Sequence, residues 1–259
     1  MSKIGLHDTI KVKNLARSSV FALDISALGE SLTDDLRYLP VEKNLVYKAA
    51  LEFCRKSRIS FSAEVVLVKN IPSGAGLGGG SSNAAGMLQF LNNLFPVLSK
   101  GALKRVAAEI GADVPYCLND GQMIATGTGN LLSKSHFVVE GYVVLVHPPV
   151  LINTKAAYNE LDRLPFEKNL LTTPNTLRKE FGKKGLSAFL NDFERVAFVQ
   201  YPELADIKAR IQSLGAHFSL MTGSGSTVYG VFHDQFAAKR AFKALATVYD
   251  RVSVCELRK

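Results

Sequence analysis

Ile71-Pro72-Ser73-Gly74-Ala75-Gly76-Leu77-Gly78-Gly79-Gly80-Ser81-Ser82-Asn83-Ala84-Ala85 is the stretch on which the reading of this chain turns. Five of its fifteen residues are glycine, and two serines follow the last of them. Ala63-Glu64-Val65-Val66-Leu67-Val68 precedes it, rich in β-branched residues and readable as a strand. Ala84 to Phe95 follows with apolar residues at helical spacing. Strand, glycine loop and helix start together present free backbone N–H groups and the positive end of a helix dipole to an anion. Glycine lets the backbone approach a polyphosphate closely and adopt φ > 0. Ser81 and Ser82 are placed to cap the helix or to offer hydroxyls to a phosphate or its magnesium. The expectation is a nucleotide held at this loop.

The loop lacks the Lys-Ser/Thr ending of a Walker A sequence. Gly74, Gly76 and Gly79 satisfy G-x-G-x-x-G, but a dinucleotide fold needs a further strand after the helix, ending near an acidic residue. Here the helix runs through Val97 to Gly101 into a second helical pattern, Ala102 to Ile110, and the Rossmann reading fails. A glycine-rich turn with no ligand would cost about 0.5–1 kcal/mol per helical glycine without return.

The chain has 259 residues, 47% of them hydrophobic, enough for one large domain or two modest ones. Its formal net charge of +8 comes from scattered Lys and Arg, with no basic stripe interleaved with aromatics, so no nucleic-acid partner is expected. Such a balance also steers polyanionic small molecules. Cys54, Cys117 and Cys255 are odd in number and widely spaced, against a disulfide framework or a zinc site. No metal-binding residues are assigned. The amino-terminal residues form no signal peptide, and the longest apolar run, Tyr142 to Ile152, is cut by His147, Pro148 and Pro149. The expectation is a soluble, cytoplasmic protein without a membrane partner.

Thr9 to Lys13 alternates as a strand, with Val20 to Ile25 as its expected partner. Leu32 to Pro40 reads as turn, and Asn44 to Cys54 as an amphipathic helix capped by Asn44. Gln122 to Thr126 and Tyr142 to His147 read as strands, and Pro148-Pro149 as a domain boundary. Helices are expected over Thr154–Leu161, Thr176–Phe181, Leu186–Phe189, Phe193–Phe198, Pro202–Leu214 and Gln235–Val248. Strands are expected at Phe218–Met221, after Thr222, and at Arg251–Leu257. This pattern suggests an antiparallel sheet with helices on one face.

Asp113 stands in an apolar segment, where an ionised carboxylate must find donors or a cation; it reads either as a functional acid or as a cap on the turn before Pro115. Thr222-Gly223-Ser224-Gly225-Ser226 is a second glycine-serine turn between strands, by itself an ordinary hairpin or bulge. The carboxylates of Asn191-Asp192-Phe193-Glu194 read as a solvated face.

Taken together, these segments resemble the GHMP kinase superfamily. Pro72 through Ala85 is similar to its phosphate-binding motif, and Met221 through Phe232 to its carboxy-terminal glycine motif. The finer resemblance is to the diphosphocytidyl-methylerythritol kinases of the non-mevalonate isoprenoid pathway. Their G-L-G-G-G-S-S-(D/N)-A-A is Gly76 to Ala85, their G-A-D-V-P is Gly111 to Pro115, their Asn-Leu helix start is Asn44-Leu45, and their N-D-(F/L)-E is Asn191 to Glu194. The resemblance implies an α+β, two-domain fold: a ribosomal-S5-domain-2-like ATP domain over residues 1–148 and a ferredoxin-like domain over 149–259. It implies transfer of the ATP γ-phosphoryl group to a hydroxyl of the cytidylated methylerythritol substrate, with Asp113 as base and substrate contact. Pro72, Ser73, Gly74, Ala75, Gly76, Leu77, Gly78, Gly79, Gly80, Ser81 and Ser82 would cradle the phosphates with Mg2+. Asn44 would contact adenine, and Tyr158 would stack on cytosine. The implied protein is a monomer or homodimer.

One part of the family pattern is unmatched. The family opens on a strand with K-(I/L)-N-L, whose lysine assists the aspartate, and then a G-Y-H segment. This chain opens at Met1-Ser2-Lys3-Ile4-Gly5-Leu6-His7-Asp8-Thr9-Ile10, similar to the segment just after G-Y-H. Lys3, Lys11 and Lys13 do not match the lysine motif. The expectation is that Met1 is an internal methionine of a longer reading frame, and that the chain shows lowered stability or edge pairing. Two alternatives stay open: another small-molecule kinase of the fold, of homoserine or mevalonate type, and a nucleotide-binding protein with little activity.

Overall fold

Phe61, Ala63, Val65 and Leu67 are buried and alternate with less buried neighbours along Phe61–Val68 (β3), the two-residue period of a strand with one face on a core. In the computed structural model, which describes all residues except 128, 130, 136, 137, 166–180, 182–184 and 259, β3 is the centre of a three-stranded sheet. Thr9–Arg17 (β1) pairs with it antiparallel and Ala22–Leu28 (β2) parallel. The hairpin expected between the first two strands is therefore a correction: β3 lies between them. The link between β1 and β2 crosses the end of β3, where the Ser18 N–H donates to the Ser60 carbonyl at 3.2 Å. The more apolar strand takes the centre and is covered on both edges.

The parallel β2–β3 pair needs a crossover connection. It is supplied by Asp34–Arg37 (α1), inside the stretch read as turn, and by Leu45–Ser57 (α2). Asn44 caps α2 as expected, its Oδ1 accepting from the Val46 N–H at 2.9 Å. Gly79–Leu94 (α3), Lys100–Ile110 (α4) and Val114–Cys117 (α5) follow. One core joins Val46, Ala50 and Phe53 of α2, Met87, Leu88 and Leu91 of α3, and Val106 of α4 to the inner face of β3. Each large side chain fully buried there contributes about 1.5–3 kcal/mol. Met123–Thr126 (β4) pairs with Leu131–Lys134 (β5), a strand absent from the sequence reading.

Tyr142–Val146 (β6), Phe218–Met221 (β7), Val228–Phe232 (β8) and Val252–Glu256 (β9) form a second sheet in the order β7-β8-β6-β9, antiparallel throughout. Val144, Val146, Val228 and Phe232 face Thr154–Arg163 (α6), Glu194–Gln200 (α7), Pro202–Ser213 (α8) and Gln235–Ala246 (α9), which add Leu204, Ile207, Ile211, Ala241 and Leu245. Val143, Leu145 and Val231 form the opposite face with Leu257, Ile4 and Leu77. The expected sheet with helices on one face is what the chain builds. Leu186–Phe189 gives a 3-10 turn, Gly185–Ala188, instead of an α-helix, and the helix expected at Thr176–Phe181 lies outside the described residues apart from Phe181.

The chain divides into two compact units. The first holds Leu6–Ser73 and Gly78–Ser133; the second holds Met1–Gly5, Gly74–Leu77 and Lys134–Lys259. This division differs from one at Pro148-Pro149, because β6 is hydrogen-bonded between β8 and β9 and so shares their sheet. The two prolines end a strand. Met1–Gly5 joins the second unit through the Gly5 N–H donating to the Glu256 carbonyl at 3.0 Å.

Candidate active site

In the first unit, α3 opens at Gly78, whose φ of +66° gives the left-handed turn that ends the loop. The first helical bond runs from the Ser82 N–H to the Gly78 carbonyl at 2.9 Å, and no side chain caps the helix. The amides of Gly79, Gly80 and Ser81 precede that bond, so they are the orphan donors of the helix start, free in geometry to point at an anion. The serines do not cap, as a correction to the sequence reading. Gly78 already holds the N-cap, and the Ser82 hydroxyl donates back to the Gly79 carbonyl at 2.9 Å. The Ser81 hydroxyl has no protein partner among the described residues. A Cβ on Gly80 would meet Leu45 Cδ1 at 3.3 Å, so the starts of α2 and α3 lie together. Asn44 spends its oxygen on capping α2, and its amide nitrogen carries no protein bond among the described residues.

Sequence reasoning missed the anchor beneath this loop. The Asp8 carboxylate is fully buried and paired with Lys69, whose side chain is 4% exposed. Its Oδ2 also accepts from Asn83 Nδ2 at 2.8 Å, and its Oδ1 from the Asn70 and Ile71 amides, each at 2.8 Å. One carboxylate thus ties the end of β3, the entry to the glycine loop and the first turns of α3. An ion pair this deep holds only when its remaining lone pairs find donors, and here they do. The available signal was a lysine and an asparagine bracketing an apolar loop.

Asp113 is exposed and stands at the start of α5, which packs on α3 and α4. Its side chain makes no capping bond. The capping reading thus fails, and so does the demand for buried donors: the segment is apolar but this carboxylate faces solvent. Tyr116, one turn on, is buried with a hydroxyl that has no hydrogen-bond partner among the described residues, and burial pushes its pKa up to about 12.

In the second unit, Gly74–Leu77 is sewn to the carboxy-terminal glycine turn. Thr222 Oγ1 donates to the Ala75 carbonyl at 3.0 Å, and the Thr227 N–H approaches the same oxygen at 3.4 Å. Gly76 has φ +73°, and a Cβ there would run into the Thr222 carbonyl and lie 2.6 Å from Thr222 Oγ1. The turn is fixed from several elements. Asn191 Nδ2 donates to the Met221 and Gly223 carbonyls, both at 2.8 Å. Glu194 Oε1 accepts from the Met221 N–H at 2.7 Å while its Oε2 holds Lys208 at 2.5 Å. Thr154 Oγ1 lies 2.9 Å from Ser224 Oγ. The solvated-face reading is therefore corrected for the Glu194 carboxylate: Glu194 and the Asn191 amide are ties, and the turn is more than a plain hairpin. His147 Nδ1 lies 3.2 Å from Thr227 Oγ1, and burial, with Arg251 nearby, lowers its pKa. Tyr158 on α6 is 54% exposed, its ring edge-to-face with Phe193 at 4.8 Å, so it is no core tyrosine.

Two sequence segments carry family matches: residues 44–121 match the GHMP kinases N terminal domain, and 174–251 the GHMP kinases C terminal domain. The chain belongs to the GHMP kinase family. It has that family's two-domain fold of mixed helices and sheets. It is 31% identical over 258 residues to a 4-diphosphocytidyl-2-C-methyl-D-erythritol kinase of Clostridium botulinum strain Hall, covering 98% of this chain and 88% of that one. A kinase of the same name from Clostridium beijerinckii is 32% identical over the same share. Among solved structures, a 4-(cytidine 5'-diphospho)-2C-methyl-D-erythritol kinase matches with a TM-score of 0.80 and 28% identity, covering 100% of this chain and 88% of that one. A homoserine kinase from Cytophaga hutchinsonii matches at a TM-score of 0.75 and 22% identity over 95% of this chain and 88% of that one, a likeness of fold. Among the described residues no helix of this GHMP kinase is long and apolar enough to cross a membrane.

Proposed function

We propose that this GHMP kinase transfers the γ-phosphoryl group of ATP to a hydroxyl of the methylerythritol part of 4-diphosphocytidyl-2-C-methyl-D-erythritol, in the cytoplasm. The observation that carries the choice of substrate is the 31% identity over 98% of the chain to kinases of that name. The glycine loop alone would suit any kinase of the fold.

The uncapped amides of Gly79, Gly80 and Ser81 take phosphate oxygens, and the rest of Pro72–Ser82 gives the phosphates their backbone cradle. Phosphoryl transfer is catalysed by positioning and by neutralising charge. Asn44 contacts the adenine through the amide nitrogen left after capping. Asp113 accepts the substrate hydroxyl proton as its oxygen bonds to the γ-phosphorus and the bond to the β,γ-bridging oxygen breaks, releasing ADP. Its exposure and freedom from capping support that role. Tyr158 stacks its exposed ring on the cytosine.

Magnesium fits this donor set. Among the described residues no group of three or more His, Cys, Asp or Glu could hold a metal. Mg2+ is commonly held by phosphates, water and one or two side chains, and the uncommitted Ser81 hydroxyl is the candidate ligand. When bound it neutralises phosphate charge.

The test is coupled ADP release with ATP, magnesium and the cytidylated methylerythritol, beside homoserine and mevalonate. Turnover restricted to the cytidylated substrate is the expected result. Turnover only with another alcohol would overturn the substrate, and ATP binding without any turnover would overturn the enzyme.

A further inference from the structure

The second unit's sheet ends at β9, and that edge is open. The His147 N–H donates to the Arg251 carbonyl at 2.9 Å and the Leu257 N–H to the Gly141 carbonyl at 3.0 Å. With the register Val143↔Cys255 and Leu145↔Ser253, these bonds turn the odd-numbered residues of β9 toward β6. The backbone groups of Val252 and Val254 therefore point outward, and among the described residues nothing pairs with them. The Lys3–Gly5 segment covers only the far end, at Glu256 and Arg258. Natural edges are usually blunted by lysine, proline or a bulge. Val252-Ser253-Val254-Cys255-Glu256 carries no lysine or proline.

Beside this edge lies a groove of about 460 Å3 lined by Phe236, Lys239, Arg240, Phe242, Lys243 and Val254. Phe236 is 76% exposed. Phe236, Lys239, Arg240 and Lys243 follow one another at i, i+3, i+4 and i+7, a single face of α9. None of the three cations has a carboxylate partner among the described residues.

We propose that this surface docks an extended acidic segment of a partner protein, added as a strand beside β9. Backbone bonds to Val252 and Val254 would hold it, an apolar side chain would enter the groove, and carboxylates would face Lys239, Arg240 and Lys243. The edge argues for a peptide, because a lipid surface or a nucleic acid would meet the cations without using the strand. A second copy is disfavoured by symmetry. Two-fold β9–β9 pairing puts both helix layers on the same side, with the two basic stripes against each other.

The probe is a synthetic peptide of alternating glutamate and valine with one central phenylalanine, added to the full chain. Amide hydrogen exchange should slow at least tenfold at Val252 and Val254 under saturating peptide. A K239E/K243E variant should weaken binding at least tenfold while leaving its melting temperature and ADP release unchanged. The same peptide with lysine for glutamate should not bind. The proposal is overturned by unaltered exchange at millimolar peptide or by equal binding of the variant. Protection that grows with protein concentration without peptide would assign the edge to a second copy. Binding to phosphatidylglycerol vesicles in place of the peptide, without slowed exchange, would assign the stripe to a membrane surface.

Discussion

Replacing Asp8 with asparagine keeps the shape of the anchor beneath the glycine loop and removes its charge. Four donors converge on that carboxylate: Lys69, Asn83 and the amides of Asn70 and Ile71. Lys69 is 4% exposed and cannot turn to water without opening the loop. Removing one partner of a buried pair costs about 3–5 kcal/mol, because the other charge stays buried. The asparagine NH2 must also face a donor, which adds to the loss. Against a usual stability of about 5–15 kcal/mol this is a large share. With a urea slope of about 2 kcal/mol per molar, the unfolding midpoint should fall by about 2 M. Circular dichroism through a urea titration reads this directly. The double variant D8N/K69M removes the stranded charge and should recover at least half of the loss. ADP release at graded ATP should show KM for ATP rising more than kcat falls, since the loop entry is tied to Asp8 and the proposed base is not. A loss below about 1 kcal/mol in Asp8→Asn, or no recovery in the double variant, would refute the reasoning.

Asp113→Asn should lower kcat by about 100-fold or more, the usual worth of a positioned base, with ATP affinity by titration unchanged; a loss under tenfold would remove Asp113 from that role. Gly76→Ala should cost about 2 kcal/mol or more in urea unfolding and raise KM for ATP, because a left-handed φ and a Cβ against Thr222 both oppose it. Tyr116→Phe removes a buried hydroxyl with no partner among the described residues and should leave the protein as stable or about 1 kcal/mol more stable, read by thermal melting. Burial holds the His147 pKa below the ordinary 6.5, so the unfolded chain takes up the proton first. Stability present above pH 6.5 should therefore fall as the pH drops below it. Unfolding midpoints from pH 7.5 to 5.5 should show that fall and should show less of it in His147→Gln.

Much of the candidate site was legible because its cues are local. A glycine run after a β-branched strand dictates a loop that can turn left-handed and open a helix, and the structure places φ > 0 at Gly74, Gly76 and Gly78. Asn44 before an amphipathic pattern dictates a cap, and the cap is there. The period of Phe61 to Val68 dictates a half-buried strand. None of these needs a distant partner. What sequence could not give is pairing across distance. Asp8 meets Lys69 across 61 residues, and nothing near Asp8 announces a buried charge. Asn191 and Glu194 look like surface residues until Met221, 30 and 27 positions away, is seen to need their hydrogen bonds. A link as short as the one between β1 and β2 reads as a hairpin, yet β3 intervenes because a strand's neighbours are settled by which apolar face the core must cover. Asp113 shows the same limit from the other side: Val114 and Tyr116 after it are buried, and only the packing of α5 leaves its carboxylate in solvent. The sequence by itself determined the glycine loop, the Asn44 cap and the alternation of buried residues, through backbone sterics and local hydrogen bonding. The tertiary structure alone decided which charges are buried together, which strand is central and which edge stays open, because those follow from excluding water over the whole fold.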